Sequence, residues 1–217
     1  MKGASGYMEN MELYCIGYAG RDKEKTLEHI EELSKIGVPE PKSIPELYHI
    51  NNHLLTTKKS LKVIGGETSA EVEVVLIFEE DGSISVTVGS DHTDRSLETV
   101  SIHKSKQICE KPIAEKKWKL NDVMDEWEDL RLYAEVKRNG KWVKYQEGAV
   151  SAIIPFEEIK EFLNEHDVES KGAVVFCGTV PLVQGFIYGD AYKCGIESKT
   201  RNESIELEYE IERLKEY

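Results

Sequence analysis

The sequence predicts an α+β domain dominated by β-strands, with three short helices. β-branched residues are concentrated in several short runs, and Asp-Gly and Asn-Gly dipeptides separate two pairs of these runs. Helical periodicity is confined to three short segments. Since both dipeptides favour the tight turns of β-hairpins, the strands should pair with their chain neighbours rather than alternate with helices in β-α-β units.

The N-terminal part of the chain predicts a strand over residues 11–18, followed by a helix that Asp22 caps. Residues 38–60 contain three of the six prolines and predict an irregular connection. We therefore expect an N-terminal extension over residues 1–60 and a main domain over residues 61–217. The apolar residues of the helix share one face and predict packing on the core; they are Leu27, Ile30, Leu33 and Ile36.

The main domain predicts two hairpins and two further helices. The runs EVEVVLIFEE and SISVTVGS flank Asp81-Gly82, and residues 131–138 and 142–145 flank Asn139-Gly140. Asn121 is expected to cap one short helix, and Pro155 to begin another. Residues 173–177 predict a buried strand and residues 205–211 a half-exposed closing strand.

Composition excludes several classes of function. The chain has 28 Lys and Arg against 41 Asp and Glu, a formal charge of −13, which disfavours binding to nucleic acid or to an anionic membrane. It contains neither GxGxxG nor GxxxxGK[ST], so no phosphate-binding loop indicates a nucleotide. The four cysteines lack CxxC spacing, which disfavours structural zinc. Without a signal pattern or a long apolar run, the sequence predicts a cytoplasmic protein.

Three carboxylates form the candidate site. Glu71 and Glu73 lie two residues apart on a predicted strand, so both side chains face the same side of the sheet. The Asp81-Gly82 hairpin would return Asp91 to the same level. Carboxylates this close are unfavourable unless a cation or a proton neutralises them, and an oxygen-only ligand set suits Mg²⁺, Mn²⁺ or Ca²⁺. The alternative from the residues alone is a solvent-facing acidic edge of the sheet.

Five motifs, in order, resemble those of the fumarylacetoacetate hydrolase (FAH) superfamily. SAEVEVVLI resembles its YELELAVVI-type metal strand, and GSDHTDRSLE its GNDVSARDLQ-type segment. NG followed by QEG at residues 146–148 resembles its NGE-xxQ-x-G stretch, VVFCGTV its VITGTP, and YGD its later PGD. The resemblance covers residues 61–217. The combination of SDHTDR, SKQICEKP and FCGT most closely resembles the DUF2848 group of that superfamily.

The resemblance implies a β-rich FAH-like fold, a rolled mixed sheet in the form of a partly open barrel, that forms a homodimer. It implies that Glu71, Glu73 and Asp91 bind Mg²⁺, or Mn²⁺ or Ca²⁺. The implied activity is that of a hydrolase or lyase on a small 2-oxo or 1,3-dicarbonyl acid. C–C hydrolysis or decarboxylation would then proceed through an enolate that a Lewis acid stabilises.

The resemblance also assigns further site residues. Arg95 and Lys106 would be catalytic and would bind the substrate carboxylate or the enolate oxygen. The family's lysine aligns with Ser105, so Lys106 requires a shift of one residue. The implied substrate-binding residues are Thr179, Gly178, Gln146 and His92.

The sequence departs from the family in several respects. The family's Asn before the metal aspartate is Ser90 here and its terminal Gln is Glu98, which implies a different choice of substrate. Hydrolytic members use a lid histidine with an acidic partner to activate water, and the chain lacks that pattern. His49 and His53 are the candidates from the 38–60 connection. A non-catalytic protein of the same fold that binds a metal and a carboxylate is therefore the alternative, and a purely structural protein with an acidic surface is the third hypothesis.

Overall fold

The computed structural model describes residues 11–35, 37–168, 172–215 and 217. Within these residues the strands are β1 (Glu12–Gly17), β2 (Glu46–Ile50), β3 (Leu55–Thr56), β4 (Ser60–Val63), β5 (Thr68–Ser69), β6 (Val72–Phe78), β7 (Ile84–Ser90), β8 (Thr93–Asp94), β9 (Lys111–Pro112), β10 (Trp118–Lys119), β11 (Arg131–Arg138), β12 (Lys141–Ala149), β13 (Ala173–Thr179), β14 (Ala191–Ser198) and β15 (Glu203–Arg213).

The α-helices are short and few relative to the strands. They are α1 (Lys23–Lys35), α2 (Arg95–Glu98), α3 (Ile102–Gln107), α4 (Leu120–Val123) and α5 (Phe156–Glu165). Single 3₁₀ turns cover Asn52–Leu54, Met124–Asp129 and Val150–Ala152. Among the described residues, none of these helices is both long enough and apolar enough to cross a membrane.

Two open mixed sheets form the body of the protein. One has six strands in the order β10-β7-β6-β13-β1-β2, and the other has five in the order β12-β11-β14-β15-β4. Most neighbours are antiparallel, but β1 runs parallel to β13 and β4 parallel to β15. The pairs β3-β9 and β5-β8 form two small sheets. The strand-dominated α+β prediction is confirmed, and neither main sheet closes into a barrel.

Strand β6 separates two apolar cores. Val72, Val74 and Leu76 face the larger core, which residues of both main sheets and of α5 fill. Val75 and Ile77 face a smaller core on the opposite side of the six-stranded sheet. All seven residues of β6 are buried. The carboxyl group of Glu73 within this strand therefore needs a hydrogen-bonding or charged partner to offset the loss of its hydration.

Both predicted hairpins are confirmed. In the first, Glu73 pairs with Gly89, which is the register expected for a turn at Asp81-Gly82. In the second, Arg138 pairs with Lys141 across Asn139 and Gly140, and both turn residues have a positive φ as a type I′ turn requires. The predicted buried strand and closing strand correspond to β13 and β15.

The predicted irregular connection over residues 38–60 contains an ordered strand. Strand β2 pairs with β1 in antiparallel fashion at the edge of the six-stranded sheet. The three prolines precede β2 and do not interrupt it. Their clustering therefore indicated the irregular segment before the strand and not the strand itself. Strands β1 and β2 thus share a sheet with β6 and β7, whereas the domain boundary at residue 60 stays a prediction.

The three predicted helices correspond to α1, α4 and α5, and two helices were missed. Helices α2 and α3 have four and six residues, too short to show helical periodicity. The Asn121 cap was wrong, because α4 begins at Leu120 after Lys119. Asp22 does cap α1, accepting the Lys25 amide at 3.2 Å.

Helix α1 buries less of its predicted apolar face than expected. Ile30 is buried, but Leu27 is 52% exposed, so the predicted packing of Leu27 was wrong. The side chain of Leu33 and the whole of Ile36 lie outside the described part of the chain.

Candidate functional site

The start of β6 brings two glutamates to the same side of the sheet. Glu71 immediately precedes the strand and Glu73 lies inside it, while Val72 and Val74 point into the larger core. Glu73 is only 3% exposed, and one of its oxygens, Oε2, accepts the backbone amide of Gly178 at 2.7 Å. The strand therefore places a carboxyl group where only specific partners can stabilise it.

The hairpin delivers Asp91 to the same place. Asp91 follows β7, and its backbone amide donates to the carbonyl oxygen of Glu71 at 2.9 Å. One carboxylate oxygen from each of Glu71, Glu73 and Asp91 lies within 4.8 Å of the other two. The predicted convergence of the three carboxylates is present, and the alternative of an open acidic edge does not describe them, because Glu73 and Asp91 are buried.

Three cations surround these carboxylates. The Nζ of Lys106 contacts Asp91 Oδ2 and lies 3.3 Å from Glu71 Oε2. Lys111, whose side chain is fully buried, places Nζ 2.9 Å from Asp91 Oδ1 and also donates to the carbonyl of His92. Arg95 Nη1 lies 3.2 Å from Glu71 Oε1. Asp91 thus holds two buried lysines, and Glu71 holds one lysine and one arginine.

The charges shift the pKa values of the carboxyl groups in opposite directions. Burial raises the pKa of Glu73, and the neighbouring charge of Asp91 raises it further, to well above its usual value. Burial also penalises ionised Asp91 and Glu71, but their cations outweigh that penalty and lower both pKa values. Conversely, Asp91 and Glu71 overcome the effect of burial on Lys106 and raise its pKa. The site therefore favours the ionised form of Asp91 and Glu71, and it favours the binding of a proton or a cation to Glu73.

The donor set fits a divalent cation. Glu71, Glu73 and Asp91 offer only oxygen ligands, which Mg²⁺, Mn²⁺ and Ca²⁺ prefer. The raised pKa of Glu73 shows that a further positive charge at this place would be stabilised. Soft or thiol ligation is not offered by these three residues, so their chemistry does not favour zinc or copper.

Glu71 and Glu73 line a pocket of about 680 Å³, whereas Asp91 is fully buried beside them and does not line it. The loop after β1 forms one wall, helices α1, α2 and α3 contribute further side chains, and the end of β13 closes another side. The lining residues are 16–22, Lys25, Thr26, Tyr48, Glu71, Glu73, Glu98, Ile102, Lys106, Ser151, Ala152 and 178–181. A volume of this size accommodates a small organic acid.

An irregularity in β13 shapes the pocket next to Glu73. The register between β13 and β6 shifts between Phe176 and Thr179, and Gly178 has a φ of 108°. A Cβ at this glycine would lie 2.7 Å from Cβ of Ala19, so both the backbone conformation and the space require glycine. The shift turns the Gly178 amide toward the Glu73 carboxyl group.

The predicted substrate-binding residues fall into two groups. Gly178 and Thr179 line the pocket, as expected. Gln146 lies behind them: its side chain accepts the Val72 amide at 2.9 Å and donates to Thr179 Oγ1 at 2.8 Å. Gln146 thus joins β6 to the end of β13 and is 2% exposed, so its position supports an indirect role.

His92 and Arg95 are buried and do not line the pocket. His92 is fully buried, and its ring nitrogens contact Tyr209 OH at 3.1 Å and Thr68 Oγ1 at 3.0 Å. Arg95 donates to Ser69 Oγ at 2.7 Å in addition to its carboxylates. The structure does not bring either residue into the pocket, because both side chains are buried in the protein interior.

The candidate bases from the 38–60 connection lie elsewhere. His49 Nε2 contacts Glu12 Oε2 at 2.7 Å and its ring stacks on Tyr14 at the exposed edge of the sheet. His53 lies in the 3₁₀ turn after β2. Among the side chains that the structure describes, no histidine lines the pocket.

Sequence reasoning missed three features of the site. Lys111 is fully buried against Asp91, although a lysine before a proline gives no sign of burial. Tyr18 lines the pocket with a φ of 56°, a conformation rare for tyrosine, and the flanking Gly17 and Gly20 were the available signal. Glu98 also lines the pocket while it contacts Arg95.

Comparison with known proteins supports the fold. A family model described as "Protein of unknown function (DUF2848)" matches residues 16–209. No curated protein matches the chain. Among solved structures, one of 2-keto-3-deoxyarabinonate dehydratase has a TM-score of 0.70 at 13% identity, over 96% of this chain and 76% of that chain.

Two further solved structures share the architecture. 2-Keto-3-deoxy-D-arabinonate dehydratase complexed with magnesium and 2,5-dioxopentanoate has a TM-score of 0.68 at 14% identity, over 96% of this chain and 75% of that chain. The protein Cg1458 has a TM-score of 0.68 at 16% identity, over 95% of this chain and 78% of that chain. These similarities show that the fold is FAH-like.

Proposed function

The chain belongs to the DUF2848 family, and from this premise we propose that it is a divalent-metal-dependent enzyme acting on a small 2-oxo or 1,3-dicarbonyl acid through an enolate. The observation that carries the proposal is the convergence of Glu71, Glu73 and Asp91, two of which, Glu71 and Glu73, line a pocket of about 680 Å³. The magnesium and small oxo-compound named with the structurally similar dehydratase support the same class of ligand.

The residues of the chain have distinct proposed roles. Glu71, Glu73 and Asp91 would hold the cation, whose chemistry at this place is Lewis-acid polarisation of a substrate carbonyl. Lys106 lines the pocket with a raised pKa, so its ammonium group remains a hydrogen-bond donor to a developing enolate oxygen. Thr179 is placed to position the substrate beside Glu73.

The pocket favours enolate chemistry that needs no activated water. Hydrolysis of a carbon–carbon bond requires a general base for water, and no histidine lines the pocket among the described side chains. Isomerisation of a 2-oxo acid, elimination from it, and decarboxylation of a 2-oxo acid that carries a second carboxylate on C3 all share the enolate without a base for water. We therefore place these reactions ahead of hydrolysis for this chain.

Enolate formation has a direct readout that does not depend on the later reaction. In D₂O with Mg²⁺, the protein is expected to speed deuterium exchange at the carbon next to the oxo group of pyruvate. A bound cation that polarises the carbonyl would acidify this C–H bond, and solvent or buffer base would take the proton. Proton NMR measures the exchange, with EDTA-treated protein and the Glu73→Gln variant as controls.

The exchange measurement also distinguishes an enzyme from the alternative function. Metal-dependent binding of an oxo-acid with no exchange and no turnover would identify a non-catalytic binding protein. Exchange that persists in EDTA would contradict a role for the metal.

A further inference from the structure

The ionic groups around the carboxylates form one connected cluster. We define the charged cluster as seven residues linked by the ion pairs described above and by the convergence of the three carboxylates: Glu71, Glu73, Asp91, Glu98, Arg95, Lys106 and Lys111. It contains four carboxyl groups and three cations. A charge added to or removed from this cluster therefore acts on every ligand bound in the pocket.

Glu98 is the one carboxyl group of the cluster that lines the pocket without belonging to the three converging carboxylates. Its two oxygens lie 3.0 and 3.3 Å from the same Arg95 nitrogen, Nη1, and its side chain is 14% exposed. Because a carboxylate offers about four acceptor sites, this contact leaves acceptor capacity directed at the pocket. Glu98 thus presents negative charge to a ligand.

Arg95 cannot compensate by binding the ligand itself. Its guanidinium donates to Ser69 Oγ, to Glu71 Oε1 and to the carbonyl of Ala70, in addition to Glu98. The ring of Phe186 covers its face, with the guanidinium carbon 4.7 Å from the ring centroid. Arg95 is therefore occupied by protein groups, and its charge is balanced within the cluster.

The cations at the pocket mouth are also engaged with acidic residues. Arg21 Nη2 lies 2.8 Å from Glu128 Oε1, and Lys25 Nζ lies 3.5 Å from Asp22 Oδ2. The Lys25 side chain is 81% exposed, so solvent screens its charge. These pairs add little net positive charge to the interior of the pocket.

Charge balance then fixes the kind of anion that the site accommodates. When a metal ion takes the place of the proton on Glu73, all four carboxyl groups are ionised against three cations, so the protein groups of the cluster carry one net negative charge. A divalent cation would change this to one net positive charge, which a single substrate carboxylate neutralises. A second carboxylate would leave an excess negative charge in a buried place.

We infer that Glu98 is a specificity-determining residue that makes the site select acids with one carboxylate over acids with two. The inference rests on the proposed function, because it assumes a divalent cation and an oxo-acid in the pocket. It places monocarboxylic acids such as acetylpyruvate ahead of oxaloacetate. It therefore places isomerisation and elimination ahead of decarboxylation, because loss of CO₂ through an enolate requires a second carboxylate.

The test compares two ligands that differ mainly in charge. 2-Oxoglutarate carries two carboxylates, and its 5-methyl ester has the same carbon chain with the second carboxylate capped as a neutral ester. Calorimetric titration in Mn²⁺ gives the affinity of each for wild type and for Glu98→Gln. Wild type is expected to bind the ester more tightly, and Glu98→Gln to shift the affinity ratio toward 2-oxoglutarate by about tenfold or more. The ratio does not depend on the folded fraction of the variant.

Two control variants distinguish a charge effect from a change of shape. Glu98→Asp keeps the charge and is expected to keep the wild-type ratio. Glu161→Gln removes an equal charge from the exposed surface of α5 and is expected to change nothing. If Glu98→Gln keeps metal-dependent binding and also keeps the wild-type affinity ratio, Glu98 does not determine the selection. That result overturns this inference and leaves the proposed function in place. Loss of all Mn²⁺-dependent binding in wild type would instead overturn the proposed function and this inference together.

Discussion

Replacing Asp91 by asparagine is expected to lower the free energy of unfolding by about 3–5 kcal/mol, the cost of leaving a buried ion pair without one partner. Asp91 is fully buried and contacts both Lys106 and Lys111. The asparagine side chain has the same shape but no charge, so the buried ammonium group of Lys111 would lose its counter-charge and that of Lys106 would keep only Glu71. The same change would also remove one carboxylate from the proposed metal site.

Chemical denaturation followed by circular dichroism, in EDTA, measures the stability effect without any contribution from bound metal. Asp125→Asn serves as the matched control, because Asp125 is exposed and its loss should change stability by no more than about 0.5 kcal/mol. Equal stability of the two variants would show that Asp91 is not the counter-charge of the buried lysines.

Glu73→Gln is expected to abolish metal binding while it leaves the metal-free protein almost as stable as wild type. Burial and the charge of Asp91 raise the pKa of Glu73, so the metal-free carboxyl group already favours its neutral form. Glutamine reproduces the shape of that neutral group and can still accept the Gly178 amide. We therefore expect a stability change within about 1 kcal/mol.

The metal affinity should respond very differently. Changes to residues that only support metal ligands cost about 10–100-fold in affinity, so loss of a ligand should cost about 100-fold or more. Titration calorimetry with Mn²⁺ measures this effect, with Glu80→Gln, an exposed change beside the hairpin turn, as the control. Unchanged Mn²⁺ affinity in Glu73→Gln would exclude Glu73 as a ligand.

The hairpins were predictable because local chemistry determines them. Asp81-Gly82 and Asn139-Gly140 each fix a tight turn, and the turn fixes the register of the flanking strands. The register of the first hairpin then placed Asp91 beside Glu71, so the centre of the site followed from residues close in sequence.

Elements that depend on distant partners were not predictable in the same way. Strand β2 is stabilised by pairing with β1, about 30 residues earlier in the chain, and its alternation is masked by the preceding prolines. Helices α2 and α3 depend on capping by Asp94 and Ser101 rather than on an apolar face. Their positions decide where Arg95 and Lys106 point.

The same limit applies to the rest of the site. Burial of Lys111 follows from the pairing of β9 with β3, and no pattern in the sequence around Lys111 predicts this pairing. Glu98 enters the pocket through the short helix α2, and Tyr18 through the turn after β1. The homodimer implied by the resemblance and the cytoplasmic location stay predictions.

Diffraction from crystals grown with Mn²⁺, measured near the manganese absorption edge, locates a bound cation directly. Our account predicts one anomalous peak within about 2–2.4 Å of a carboxylate oxygen from each of Glu71, Glu73 and Asp91. Crystals in which manganese binds only to other side chains, or in which no peak lies among these three carboxylates, would contradict it.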